Sequence, residues 1–114
     1  MKMKFKEGKS FEKDWKRLIK KYSSLPVDLQ IFKSVLIDNP LGNRKHFHVI
    51  TKTETIHIIK ARFFSRYLRK SSLRIVYSYA EELDCIEFIE LYFKGAKSNH
   101  DQARIDSYLA TMKS

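Results

Sequence analysis

Hydrophobic and polar positions change period along the chain, and each change predicts an element. Residues 2–6 (Lys-Met-Lys-Phe-Lys) alternate, which predicts a short strand. Phe11, Trp15, Leu18, Ile19 and Tyr22 then recur at helical spacing, while Lys13, Lys16, Arg17, Lys20 and Lys21 cover most of the remaining surface. Ser10 is the expected N-cap of this helix, with Glu12 and Asp14 in its first turn. The run 23–26 breaks the stripe, and Pro26 suits a helix start. Leu29, Phe32, Val35 and Leu36 supply a second stripe. The run 38–43 ends it, because Pro40 disfavours helix at Asn39 and Gly42 permits a tight turn.

After Gly42 the period shortens. Phe47 and Val49 alternate with His46 and His48, as a short strand or an extended loop. Strands are predicted over 56–64, 73–79 and 84–94, and the link 80–83 is short enough for a β-hairpin. Ser98-Asn99-His100-Asp101 resembles a capping box that opens a terminal helix carrying Ile105, Leu109 and Met112. The order β-α-α-β-β-β-α predicts one α+β domain over residues 1–114. Its sheet is mainly antiparallel, with two N-terminal helices packed on one face and a short C-terminal helix.

Composition narrows the class. The chain has 114 residues, 43% hydrophobic and 13% aromatic, enough apolar surface for a real core in one domain. Lys and Arg number 23 against 13 Asp and Glu, a formal charge of +10 that attracts polyanions, nucleic acid first among them. The single cysteine, Cys85, rules out an internal disulfide and a multi-Cys zinc site, and its apolar neighbours suggest a buried strand position. Residues 1–8 lack the apolar core of a secretory signal, and no apolar run approaches a membrane span. A cytoplasmic protein without a membrane partner is expected.

Side chains alternate across a sheet, so parity sorts each predicted strand. Ile58, Lys60, Arg62, Phe64 and Arg66 share one face; Arg74, Val76 and Ser78 share another; so do Ile86, Phe88, Glu90, Tyr92 and Lys94. The opposite parities are almost wholly apolar and should pack under the helices. The first set gathers Lys60, Arg62, Arg66, Arg74, Glu90, Tyr92 and Lys94. Clustered like charges cost free energy, so a bound polyanion would explain the arrangement, as an alternative to an ordinary solvated face.

Four segments resemble the RelE/ParE superfamily of toxin–antitoxin systems. They are 10–14 (Ser-Phe-Glu-Lys-Asp), 60–63 (Lys-Ala-Arg-Phe), 73–77 (Leu-Arg-Ile-Val-Tyr) and 89–97 (Ile-Glu-Leu-Tyr-Phe-Lys-Gly-Ala-Lys), in family order across roughly residues 10–110. The resemblance implies a toxin that cuts mRNA on the ribosome, inhibits translation and is neutralised by a cognate antitoxin. Lys60 and Arg62 match the family's paired basic positions, Arg74 the arginine of its central strand, and Lys94 or Lys97 a basic position near the end of the last strand. The family's C-terminal tyrosine or histidine has no single match; Tyr92, His100 and Tyr108 all stay open. The segment 63–72 is longer than a minimal hairpin, which leaves the spacing of Arg62 and Arg74 open.

Cleavage of this kind sets the 2′-hydroxyl against the adjacent phosphate. It needs a base, a cationic clamp and an acid for the 5′-oxygen, and requires neither metal nor cofactor. Arg62 and Arg74 suit the clamp, since guanidinium binds phosphate bidentately. Lys60 is the candidate base; Glu90 is the alternative, unless it organises Arg62 or Arg74 through an ion pair. Tyr92 or Lys94 would serve the leaving group. Lys13, Lys16, Arg17, Lys20, Arg66 and Lys97 are candidates for gripping RNA phosphates, although the basic first helix also fits a plain solvated face. His46 and His48 read as exposed loop residues rather than metal ligands, and His57 as structural. Two other functions share these features: a ParE-like gyrase inhibitor, and a non-catalytic basic nucleic-acid-binding module.

Overall fold

The computed structural model describes residues 2–65 and 73–112. Strand β1 (Lys4–Glu7) leads into helices α1 (Lys9–Ile19) and α2 (Leu25–Asp38). Strands β2 (Phe47–Lys52), β3 (Ile56–Phe63), β4 (Leu73–Ala80) and β5 (Cys85–Phe93) follow, and α3 (Gln102–Thr111) ends the described chain. The sheet order is β1-β5-β4-β3-β2; β1 runs parallel to β5 and every other pairing is antiparallel. The expected order of elements holds, and the segment after Gly42 resolves to a strand. A one-turn 3-10 helix, Glu81–Leu83, closes the β4–β5 hairpin, with Asp84 in the left-handed region.

Two cores lie on opposite faces of this sheet. Phe11, Leu18, Leu25, Leu29, Phe32 and Leu36 from α1 and α2 pack on Ile59, Ala61, Phe63, Ile75, Tyr77 and Phe88. Phe32 centres an aromatic cluster, with its ring 5.5 Å from Phe63 and 6.0 Å from Tyr77, edge-on to both. Such pairs add about 0.5–1.5 kcal/mol each beyond area burial. On the other face Ile105 of α3 covers Ile56, Ile58, Val76, Ala80, Ile89 and Tyr92. The loop between α2 and β2 is pinned where Tyr77 donates to the Pro40 carbonyl at 2.7 Å. Gly42 (φ 69°) is required there, since a Cβ would stand 2.1 Å from the Phe47 ring.

Local signals place several boundaries differently. Helix α1 starts at Lys9 behind Gly8 rather than at a Ser10 cap, and neither α1 nor α2 has a side-chain cap bond. Pro26 sits in the first turn of α2, as expected. The terminal helix is capped by Asp101, which accepts from the Ala103 N–H, so residues 98–100 lead into the cap and 98–101 is not a capping box. Val35 is 45% exposed and forms an outer stripe with Val27 and Ile31 instead of joining the core. Parity also fails within β5. The register shifts between Val76 and Tyr77, where Tyr77 pairs with Phe88 and Val76 with Glu90. The extra residue, Ile89, swings to the α3 side, and Ile86 and Phe88 turn to the helical side with Tyr77 and Tyr79.

Candidate functional site

The bulge in β5 returns Glu90 and Tyr92 to the α3 face, beside the cations of β3 and β4. Cross-strand registers then build two rows. His48, Lys60, Val76 and Glu90 form one, and Arg62, Arg74 and Tyr92 the next. Arg62 and Arg74 stand directly opposite one another, an arrangement that destabilises a sheet unless something negative compensates it. Helix α3 covers only part of this face, where the residues are apolar, and leaves the basic part open.

Residues 94–101 form the wall of the open part. Lys60 Nζ donates to Asn99 Oδ1 at 3.0 Å and lies 3.2 Å from His100 Nδ1. His100 Nε2 is 2.8 Å from Gln102 Oε1, so one tautomer satisfies both contacts: Nδ1 accepts from lysine and Nε2–H donates to the amide. Glu90 is buried, and both its oxygens are engaged. One accepts from Lys97 Nζ; the other accepts from the Asp101 N–H at 2.7 Å. The ion pair that Glu90 makes is therefore with Lys97, not with Arg62 or Arg74. It fastens the entry of α3 to the sheet. Lys97 also lies over the Tyr92 ring, 5.4 Å from its centre.

Electrostatics follow from this crowding. Burial, then the charges of Arg74 and Lys94, hold Lys60 below the ordinary lysine range, with Glu90 opposing. Burial and Arg62 lower Arg74 in turn. Tyr92 is pushed up by burial and by Glu90, against the pull of Arg74. Its ring belongs to the α3 core.

The structure thus brings Lys60, Arg62, Arg74, Glu90 and Tyr92 onto one face, with Lys94 exposed just past β5 and Lys97 inside the cluster. Arg17 reaches the rim, lining a cavity of about 160 Å³ with Lys21, Tyr22, Tyr92 and Lys97. Lys13, Lys16 and Lys20 are exposed on α1 but do not line that cavity. Arg66 lies outside the described residues. Of the open C-terminal positions, His100 joins the cluster, while the Tyr108 hydroxyl is engaged by Ser78 at 2.7 Å. His46 is half-buried against Phe64 rather than exposed.

Two residues that carry the geometry were not among the site residues expected from the sequence. Asp14 of α1 is buried and accepts from the Leu91 N–H at 3.0 Å and from Arg104. Arg104 also donates to the Ile89 carbonyl at 3.3 Å. Together they satisfy the edge of β5 beyond the end of β1. Asp14 offers one clue, an acid where the stripe calls for a buried position, at i+3 from Phe11 and i−4 from Leu18. Among the described residues no group of three or more His, Cys, Asp or Glu is placed to hold a metal ion, and no helix is long and apolar enough to cross a membrane.

No family model and no curated protein matches the sequence. Solved structures do match in shape. The archaeal RelE–RelB complex of Pyrococcus horikoshii contains a chain superposing with a TM-score of 0.64 at 19% identity, over 83% of this chain and 98% of that one. A metal-bound toxin from Helicobacter pylori gives 0.61 at 17%, over 84% and 99%. A conserved hypothetical protein of the same bacterium gives 0.57 at 18%, over 82% and 97%. At these identities it is the backbone that is shared, and the chain has a RelE-like fold.

Proposed function

We propose that this protein is the toxin of a toxin–antitoxin pair and acts as a metal-independent endoribonuclease on mRNA held by the ribosome. The observation that carries the reading is the contact of Lys60 with His100 inside a cationic face that contains the opposed pair Arg62 and Arg74. Lys60, held below its ordinary range, takes the proton of the 2′-hydroxyl. The O2′–P bond forms as the P–O5′ bond breaks. Arg62 and Arg74 hold the non-bridging oxygens through their added negative charge, with Lys94 near the same region. His100, whose Nδ1 accepts from Lys60, relays the proton taken from the 2′-hydroxyl to the leaving 5′-oxygen, giving a 2′,3′-cyclic phosphate and a 5′-hydroxyl. Glu90 acts through Lys97 and the Asp101 N–H to keep residues 97–101 against the sheet.

The fold alone is equally compatible with gyrase inhibition. A lysine, a histidine and two arginines converging on one face favour phosphodiester chemistry instead. The acidic counterpart expected for such a protein is an antitoxin whose carboxylates cover the basic face. Primer extension on a translated message, with and without ribosomes, tests the reading. New 5′ ends that require both the protein and ribosomes are expected. Intact message, or stalled gyrase–DNA complexes in its place, would refute it.

A further inference from the structure

The reacting residues Lys60, Arg62 and Arg74 line a cleft of about 160 Å³ that continues on its β2 side to Arg44, Lys45, His46 and His48. No carboxylate lines it, and among the described residues Arg44, Lys45 and Arg62 take part in no ion pair. His46 Nδ1 is buried there without a hydrogen-bond partner, the kind of atom that calls for an explanation. Just past the end of β3 stands Phe64, 58% exposed, with its ring 5.4 Å from that of His46 and edge-on to it. A large aromatic left open beside concentrated cations is what single-stranded nucleic acid uses, bases stacking on rings while phosphates meet the charges.

Position decides which part of the substrate this is. Lys60, Arg62 and Arg74 stand on β3 and β4, while Arg44 and Lys45 lie just ahead of the edge strand β2, at the outer end of the same cleft. We propose that this outer end and Phe64 form a nucleotide subsite next to the scissile phosphate: Arg44 and Lys45 grip the neighbouring backbone phosphate, and Phe64, braced by His46, stacks the unpaired base. This assignment rests on the ribonuclease reading and adds to it a minimum substrate, a single strand that reaches past the reacting phosphate toward β2.

A 2′-O-methyl RNA hexanucleotide cannot be cleaved by 2′-hydroxyl attack and can carry fluorescent 2-aminopurine at each position in turn. Binding to the full chain at low salt is expected to quench one position by stacking. Phe64→Leu should abolish that quenching and weaken binding about tenfold. Arg44→Ala with Lys45→Ala should lower the slope of log affinity against log salt by about 0.7, the value for one phosphate contact on a single strand. All three positions are exposed, so unchanged thermal melting is expected and separates lost contacts from lost fold. Tight binding by the unaltered protein with no quenching that depends on Phe64, or with an unchanged salt slope in the double variant, would overturn the subsite and leave the ribonuclease reading standing. No binding by the unaltered protein would overturn the subsite, while the ribonuclease reading stands or falls on the cleavage test with ribosomes.

Discussion

Asp14 and Arg104, 90 residues apart, meet at 2.6 and 3.1 Å across the edge of β5 and tie the first helix to the last. The carboxylate is almost fully buried and the guanidinium about a quarter exposed. The hydrogen bond from Arg104 to Asp14, and then the nearby carboxylates, raise the arginine pKa against its desolvation. Removing the cation leaves a buried carboxylate held by the Leu91 N–H and a long 3.5 Å contact from the exposed Arg17. Arg104→Met should therefore destabilise the fold by about 3 kcal/mol, read from urea denaturation. Asp14→Leu combined with Arg104→Met should recover much of that loss, because a well-packed apolar pair costs no charge desolvation. A single variant within about 0.5 kcal/mol of the parent would show that the brace contributes nothing measurable.

The same pair illustrates which features the sequence made legible. Periodicity located both N-terminal helices and the three long strands, because each has one face against a core and its pattern follows directly. Parity on β3 and β4 placed Lys60, Arg62 and Arg74 together correctly. It misplaced Ile86, Phe88 and Ile89, since a bulge is a property of two paired strands and leaves no local mark in either. The Asp14–Arg104 brace and the Lys60–His100 contact were invisible for a related reason. Both join segments 40 or more residues apart, and their partners are chosen by how α3 docks. Asp101 displaced the expected capping box because Glu90, on the neighbouring strand, accepts from its N–H and fixes where the helix begins.

Arg74 stands between Arg62 and Tyr92 on the open face, and burial together with Arg62 makes its own charge costly. A residue kept charged at such a cost is suited to meet charge that develops during reaction. Arg74→Ala should lower the single-turnover cleavage rate about 10²–10³-fold, by comparison with loss of one donor to a transition-state oxyanion. Folding should be unaffected, because the substitution relieves repulsion with Arg62. Full cleavage by a folded variant would remove Arg74 from the mechanism.

Lys94 affects the proposed base from a distance. Its charge is one of three influences that lower Lys60, after burial and Arg74. A lysine acts as a general base only when unprotonated, so cleavage should rise as pH rises through the folded-state pKa of Lys60. Lys94→Gln removes one lowering influence and moves that pKa back toward the ordinary lysine value. The rising limb of the pH–rate profile should therefore shift to higher pH, with a lower rate at neutral pH and recovery under alkaline conditions. An unshifted limb would argue that another group accepts the proton.

The antitoxin that the proposed function calls for should be recognised first through charge. With a net +10, the protein attracts any acidic chain, and the open face is where its cations concentrate. The segment that contacts this face is expected to be rich in Asp and Glu, with apolar side chains holding the complex once formed. Two geometries would silence the site: covering Lys60, Arg62 and Arg74, or displacing α3 and exposing Ile56, Ile58, Val76 and Ile89 beneath it. Hydrogen exchange distinguishes them, since covering protects β3 and β4 while α3 keeps its native protection, and displacement replaces the contacts of Ile105 with those of the antitoxin. In either case rising salt should slow association more than it speeds dissociation, because exposed charges act on the encounter and buried contacts on the lifetime. Association rates that ignore salt, or an antitoxin footprint confined to α1 and α2 on the other side of the sheet, would contradict this account of how the basic face is masked.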